Sequence, residues 1–147
     1  MTKISSALLF ALCLFGFQAF GEKPATITVS LAVNGDETEL ANEITSYLSR
    51  ELHEIPDVRS VSGNDADFRV TVFPQRLLLA TGADTGWVMV VLVEVPTSCG
   101  QKYPTERKVR AMYLRQGPHS DLKQSCQQIV ADLDTVYLGS ARKQKSE

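Results

Sequence analysis

The sequence predicts an α/β fold of the α+β-like kind: a two-layer sandwich with a mixed β-sheet and two helices on one face, in the order βαββββα. Three observations predict it. Residues 26–33 alternate strictly, with Ile27, Val29, Leu31 and Val33 opposite Thr26, Thr28, Ser30 and Ala32. Two later stretches carry apolar residues at spacings of three and four, each a single stripe of an amphipathic helix. Between them, residues 67–95 hold two apolar runs without helical spacing, split by a glycine-punctuated turn at residues 81–86. That hairpin is the expected centre of the sheet.

After the first strand, Asn34-Gly35 turns the chain, and Asp36 with Glu39 has the spacing of a capping box. Leu40, Ile44, Tyr47, Leu48, Leu52 and Ile55 form the stripe of a helix over residues 37–54, which Pro56 ends. A short strand at 58–62 leads through Gly63-Asn64-Asp65 into the hairpin. Residues 108–115 read as the last strand, in which Val109, Ala111 and Tyr113 alternate with Arg110, Met112 and Leu114. Gly117-Pro118 breaks it, and Ser120 is a candidate cap for a second helix with a core stripe of Leu122, Cys126, Ile129, Leu133, Val136 and Tyr137. A strand–helix–strand opening implies a parallel crossover, whereas the later strands are joined as antiparallel hairpins.

The amino terminus reads as an export signal. Lys3 precedes an uncharged apolar core at residues 7–17, and Ala19-Phe20-Gly21 sets small residues at the positions a signal peptidase requires. Residues 1–21 are therefore expected to be removed, leaving residues 22–147 as one α/β domain with no membrane-spanning stretch. The chain carries 15 Lys+Arg against 17 Asp+Glu. Loss of Lys3 makes it one unit more acidic, a balance with no general pull toward nucleic acid. An exported chain meets oxidising conditions, so Cys99 and Cys126 are a disulfide candidate, with two separate thiols as the alternative.

This order of elements resembles the amino-terminal domain of the periplasmic TolB family, a fold shared with envelope lipoproteins. The resemblance rests on the helix at residues 44–52 and on the Ala66-Asp67-Phe68-Arg69-Val70-Thr71-Val72 step into the hairpin. It rests also on the acid-containing strand end Val91-Leu92-Val93-Glu94-Val95 and on the closing strand and helix. It implies an exported interaction module without catalysis. The chain departs from the family in its cysteine pair and in lacking the helix that often precedes the Ala-Asp strand.

Catalytic equipment is sparse. His119-Ser120-Asp121 contains the residue types of a hydrolytic triad, yet adjacent residues do not build a nucleophile–base–orienter chain, and a helix start explains them better. The carboxylate pairs Asp65/Asp67 and Asp132/Asp134 lack further oxygen ligands at calcium-loop spacing. No cofactor or metal is implied. The basic cluster of Lys102, Arg107, Lys108, Arg110 and Arg115 fits a charged edge strand, which resists edge-to-edge pairing.

The strand at residues 87–95 is apolar on both faces. Trp87, Met89, Val91, Val93 and Val95 form one, and Val88, Val90 and Leu92 the other, interrupted only by Glu94. A sheet covered on one side needs one apolar face. Either the second is shielded, for instance by residues 77–79, or it is an open contact surface of Val88, Val90, Leu92, Met112 and Leu114 with Arg110 and Arg115 at its rim. The sequence thus points to an exported, periplasmic or secreted, non-enzymatic protein-interaction or assembly module of the cell envelope. Its partner would be another protein or a second copy. A small secreted hydrolase or a carrier of an apolar small molecule is the alternative.

Overall fold

The computed structural model describes residues 26–97 and 106–145. The predicted leader, and Cys99 with it, lie outside the described residues. The strands are β1 (Ile27–Val33), β2 (Val58–Ser60), β3 (Phe68–Leu78), β4 (Asp84–Pro96) and β5 (Arg107–Gly117). They form one sheet in the order β2-β1-β3-β4-β5. β1 runs parallel to β2 and β3, and the β3–β4 and β4–β5 pairs are antiparallel. The molecule is the mixed-sheet α+β sandwich that the sequence predicts.

Helix α1 (Thr38–His53) buries Leu40, Ile44, Leu48 and Leu52 of the predicted stripe; Tyr47 is partly buried, and Ile55, also partly buried, follows the helix end. Its start differs from expectation. Glu37 is the N-cap and makes no side-chain cap bond, so Asp36 and Glu39 do not form a capping box. Glu37 and Glu39 instead bind the Arg76 guanidinium at 2.5 and 3.2 Å, tying the helix start to β3. A carboxylate is favourable at this end of the helix whether or not it caps a particular N–H.

The carboxy-terminal helix runs in three parts: α2 (Leu122–Asp132), a π-helical stretch (Leu133–Leu138) and α3 (Gly139–Lys145). A π turn takes in one extra residue and so re-phases the stripe. Leu133 and Leu138 are buried, while Val136, an expected core residue, is 55% exposed. The same turn brings Asp134 to Arg142 at 2.6 Å, and Arg142 also holds Asp57 through two bonds of 2.6 and 2.8 Å. Those bonds hold the Asp57 carboxyl below its usual range. Ser120 is not the cap: its hydroxyl donates to Asp121, and Asp121 precedes α2 without a cap bond.

The core lies between the helices and one face of the sheet. Ile27, Val29, Phe68, Val70, Val72, Trp87, Met89, Val91 and Val93 meet the helical stripes there. Trp87 has no exposed surface, and its indole N–H donates to the Pro118 carbonyl at 2.9 Å, satisfying its one polar group. Pro74 sits inside β3 without breaking the sheet, because β1 makes its last pairing at Val33–Val72 and leaves that edge before Pro74 is reached. Gly86 begins the core stretch of β4 at φ +144°, where a Cβ would collide with the Gly117 carbonyl oxygen.

Cys126 is a free thiol with no exposed surface, on the α2 face toward α1. Burial, with Glu43 and Glu51 nearby, pushes its pKa up to about 12. The predicted bridge to Cys99 therefore gains no support. Cys126 behaves as a small apolar core residue.

Candidate docking face

The face of the sheet opposite the helices carries the second apolar set. Strand register sets it out in rows. Phe73 pairs with Val90 and Val90 with Leu114; Thr71 pairs with Leu92 and Leu92 with Met112; Gln75 pairs with Val88 and Val88 with Gln116. Residues directly opposite in a sheet share a face. Phe73, Val88, Val90, Leu92, Met112 and Leu114 are thus one continuous surface. Among the described residues no helix covers it: Phe73 is 43%, Leu114 62% and Met112 71% exposed, and Val88, Val90 and Leu92 are half-buried by their neighbours.

The patch has polar ends. At one, Arg69 pairs with Glu94, and Glu94 accepts a 3.3 Å bond from the Thr71 hydroxyl. Arg107 reaches across from β5 to donate to the Asn64 and Ala66 carbonyls at 2.6 and 2.8 Å. Burial and then the neighbouring Arg69 lower its pKa, and Glu94 acts against them. At the other end, Asn34, Gly35, Asp36 and Glu37 wall a depression of about 880 Å³ floored by Phe73, Val88, Val90 and Leu114. It opens to solvent and adjoins the patch. Toward β1 the face turns small and polar, with Ser30 and Thr71 buried in it.

Val88, Val90, Leu92, Met112 and Leu114 lie together, as the strand alternation predicts. Arg110 and Arg115 do not rim them. A register shift opposite Val93/Glu94 pairs Glu94 with Val109 and leaves Arg110 as the extra residue. Arg110 lines a depression on the helix side with Val95, Lys108, Val136 and Tyr137. Arg115 pairs with Met89 and binds Asp132 at 2.7 Å, so it braces β5 to α2. The same bulge takes Val109 out of the expected core set and leaves it exposed opposite Glu94. Phe73 is the patch residue that sequence reading missed. Its alternation with Val72 and Pro74, both buried, was the available signal.

The other chemistry-bearing residues are engaged in structural pairs. His119 hydrogen-bonds Asp84 at 2.8 Å, and Asp84 also accepts from the Gly86 N–H at 2.9 Å. The Gly86 N–H above all, with His119 and Arg76 adding to it, holds Asp84 below its usual range. Ser120 is bonded to Asp121 rather than to His119. Among the described residues no group of three His, Cys, Asp or Glu side chains could hold a metal ion, and no helix is long and apolar enough to cross a membrane.

A two-layer α+β sandwich whose second sheet face is apolar and uncovered among the described residues is the class that this geometry defines. No protein-family model and no curated protein matches the chain. Solved structures overlap with it more loosely. Protein XCC0632 from Xanthomonas campestris does so at TM-score 0.48 and 7% identity, over 84% of this chain and 89% of that one. The PelC dodecamer from Paraburkholderia phytofirmans does so at TM-score 0.44 and 12% identity, over 76% and 86%. The rare lipoprotein B from Shewanella oneidensis follows at TM-score 0.35 and 17% identity, over 82% and 99%. Overlaps this loose transfer no activity and no partner, and they lend no particular support to the TolB likeness.

Proposed function

We propose that this chain is an exported, non-enzymatic docking module of the cell envelope, and that the uncovered face of β3, β4 and β5 is its contact surface. The observation that carries the reading is the continuity of Phe73, Val88, Val90, Leu92, Met112 and Leu114 across three strands. A contiguous apolar surface of this kind on a folded domain marks an interaction site. Export rests on the leader-like residues 1–21. The carrier alternative requires an enclosed pocket between sheet and helices; among the described residues core side chains pack there, and the depressions beside Phe73 and Tyr137 open to solvent.

The partner is a protein or a second copy of the chain. Covering the face removes methyl and methylene groups from water at roughly 25 cal/mol per Å², and the polar ends set register. The test is a pull-down and sedimentation series with Met112→Asp and Leu114→Asp. Both side chains are exposed, so the variants should keep the parental melting curve and lose the partner or the oligomer. Undiminished association by both would remove this face as the contact surface.

A further inference from the structure

The turn that joins β3 to β4 carries a second apolar feature, separate from the docking face. The sequence offers residues 77–79 as a possible shield for the back of β4, but they do not act as one. Leu77, Leu78 and Leu79 are 37%, 59% and 56% exposed, at the end of the hairpin where β3 and β4 outrun the sheet. No charged side chain occurs between Arg76 and Asp84; the segment reads Leu-Leu-Leu-Ala-Thr-Gly-Ala.

We propose that this hairpin tip is a membrane-contact element that inserts into the headgroup–acyl boundary of a bilayer composed of uncharged or zwitterionic lipid. Three observations choose a bilayer over a protein groove. The tip is apolar all round: successive strand residues leave opposite faces, so Leu77 and Leu78 point to opposite sides of the ribbon and Leu79 follows at the turn. A groove selects one apolar face, whereas a lipid phase accepts every side. The backbone of the turn is also partly closed upon itself. Leu79 N–H donates to Ala83 O at 2.9 Å, Gly82 N–H to Leu79 O at 2.8 Å, and the Thr85 hydroxyl to Leu77 O at 2.8 Å. Gly82 makes the turn possible at φ +80°. Polar backbone groups that meet hydrocarbon must be satisfied internally; these bonds do so for Leu79 and Gly82, while the apex N–H groups of Ala80 and Thr81 make no such bond and hold the tip at headgroup depth, within reach of water.

The third observation is the collar below the tip. Arg76 binds Glu37, Glu39 and Asp84, and Asp84 binds His119. Three carboxylates around one guanidinium give a polar, acid-leaning ring where the chain would meet the headgroups. Such a ring limits depth to the interfacial region, about 5–10 Å. It offers no attraction to anionic lipid, which selects for neutral headgroups.

The experiment is vesicle flotation with the purified protein, using phosphatidylcholine–phosphatidylethanolamine vesicles. The parent should float. Leu78→Asp with Leu79→Asp should lower the bound fraction by about tenfold or more, with an unchanged melting curve, and Met112→Asp should float as the parent does. Replacing half of the lipid by phosphatidylglycerol should not raise binding. An independent reading comes from Leu78→Trp with brominated lipid: the emission of the introduced indole should shift to the blue and be quenched on binding, against a constant contribution from buried Trp87. A parent that does not float, an emission from the Leu78→Trp variant that is indifferent to vesicles, or flotation lost with Met112→Asp but kept with the tip variant would overturn the proposal. Capture of a protein through the tip without flotation would overturn it equally, and a rise with phosphatidylglycerol would overturn the lipid assignment.

Discussion

Met89 and Met112 sit on neighbouring strands of one sheet and face opposite ways. Met89 has no exposed surface; Met112 is 71% exposed. The same side chain is core on one face and a candidate contact on the other. The difference lies in what the chain supplies to cover each face. The stripes of α1 and of the carboxy-terminal helix both pack on the Met89 side, and nothing among the described residues packs on the patch around Met112. An apolar strand face is thus a statement about burial only when a second layer is available to bury it.

Truncation breaks the comparison most sharply. Met89→Ala should cost about 2–5 kcal/mol, the lost transfer energy plus a cavity. Met112→Ala should stay within about 0.5 kcal/mol, as exposed substitutions do. Urea unfolding of the two variants checks this directly. Equal costs would mean that Met112 is covered in the folded protein.

The carboxy-terminal helix offers the same contrast within one turn. Leu138→Ala should cost about 2–5 kcal/mol and Val136→Ala within about 0.5 kcal/mol. A simple 3.6-residue period, unbroken from Leu122, would favour Val136. The reverse order of effects would remove the π-helical re-phasing.

Cys126 sharpens the account of the core face. With its thiol pKa pushed up to about 12 by burial, alkylation should wait on unfolding. Reductant should leave the melting temperature unchanged. Cys126→Ser should cost about 1–3 kcal/mol, because a hydroxyl would be buried among apolar side chains. A reductant-sensitive melting curve would restore the bridge to Cys99.

The smallest of these effects is electrostatic. Asp57 has a depressed folded pKa, chiefly from its hydrogen bonds to Arg142. A depressed carboxylate contributes stability that is fully present above the unfolded value, about 4, and is lost as pH falls through the folded value. Asp57→Asn should therefore be less stable than the parent at pH 7 by about 1 kcal/mol or less. The two should converge in acid, as melting curves across that pH range would show.

Much of the fold was legible because it rests on periodicity. Strand alternation placed Trp87, Met89, Val91 and Val93 on one side and Val88, Val90 and Leu92 on the other, and the α1 stripe was read residue by residue. What was illegible breaks a period locally. The bulge at Arg110 sends it to the helix side and exposes Val109, and the π turn exchanges Val136 for Leu138. Neither leaves a mark in composition or spacing. Partner choice was hidden for another reason. Arg115 meets Asp132, and Glu37 and Glu39 meet Arg76, across elements whose relative placement only the tertiary fold sets. Phe73 is the exception, a residue that alternation could have assigned to the patch.

Val90 is the position at which the central claim meets its most direct measurement. It lies in the middle row of the open face, between Phe73 and Leu114. Val90→Lys, followed by circular dichroism melting and sedimentation or pull-down on the same preparation, separates a contact surface from a hidden core. A docking face predicts a folded protein with a near-parental melting curve and weakened partner binding or dimerisation. An unfolded variant, or a folded one whose association is undiminished, would contradict it.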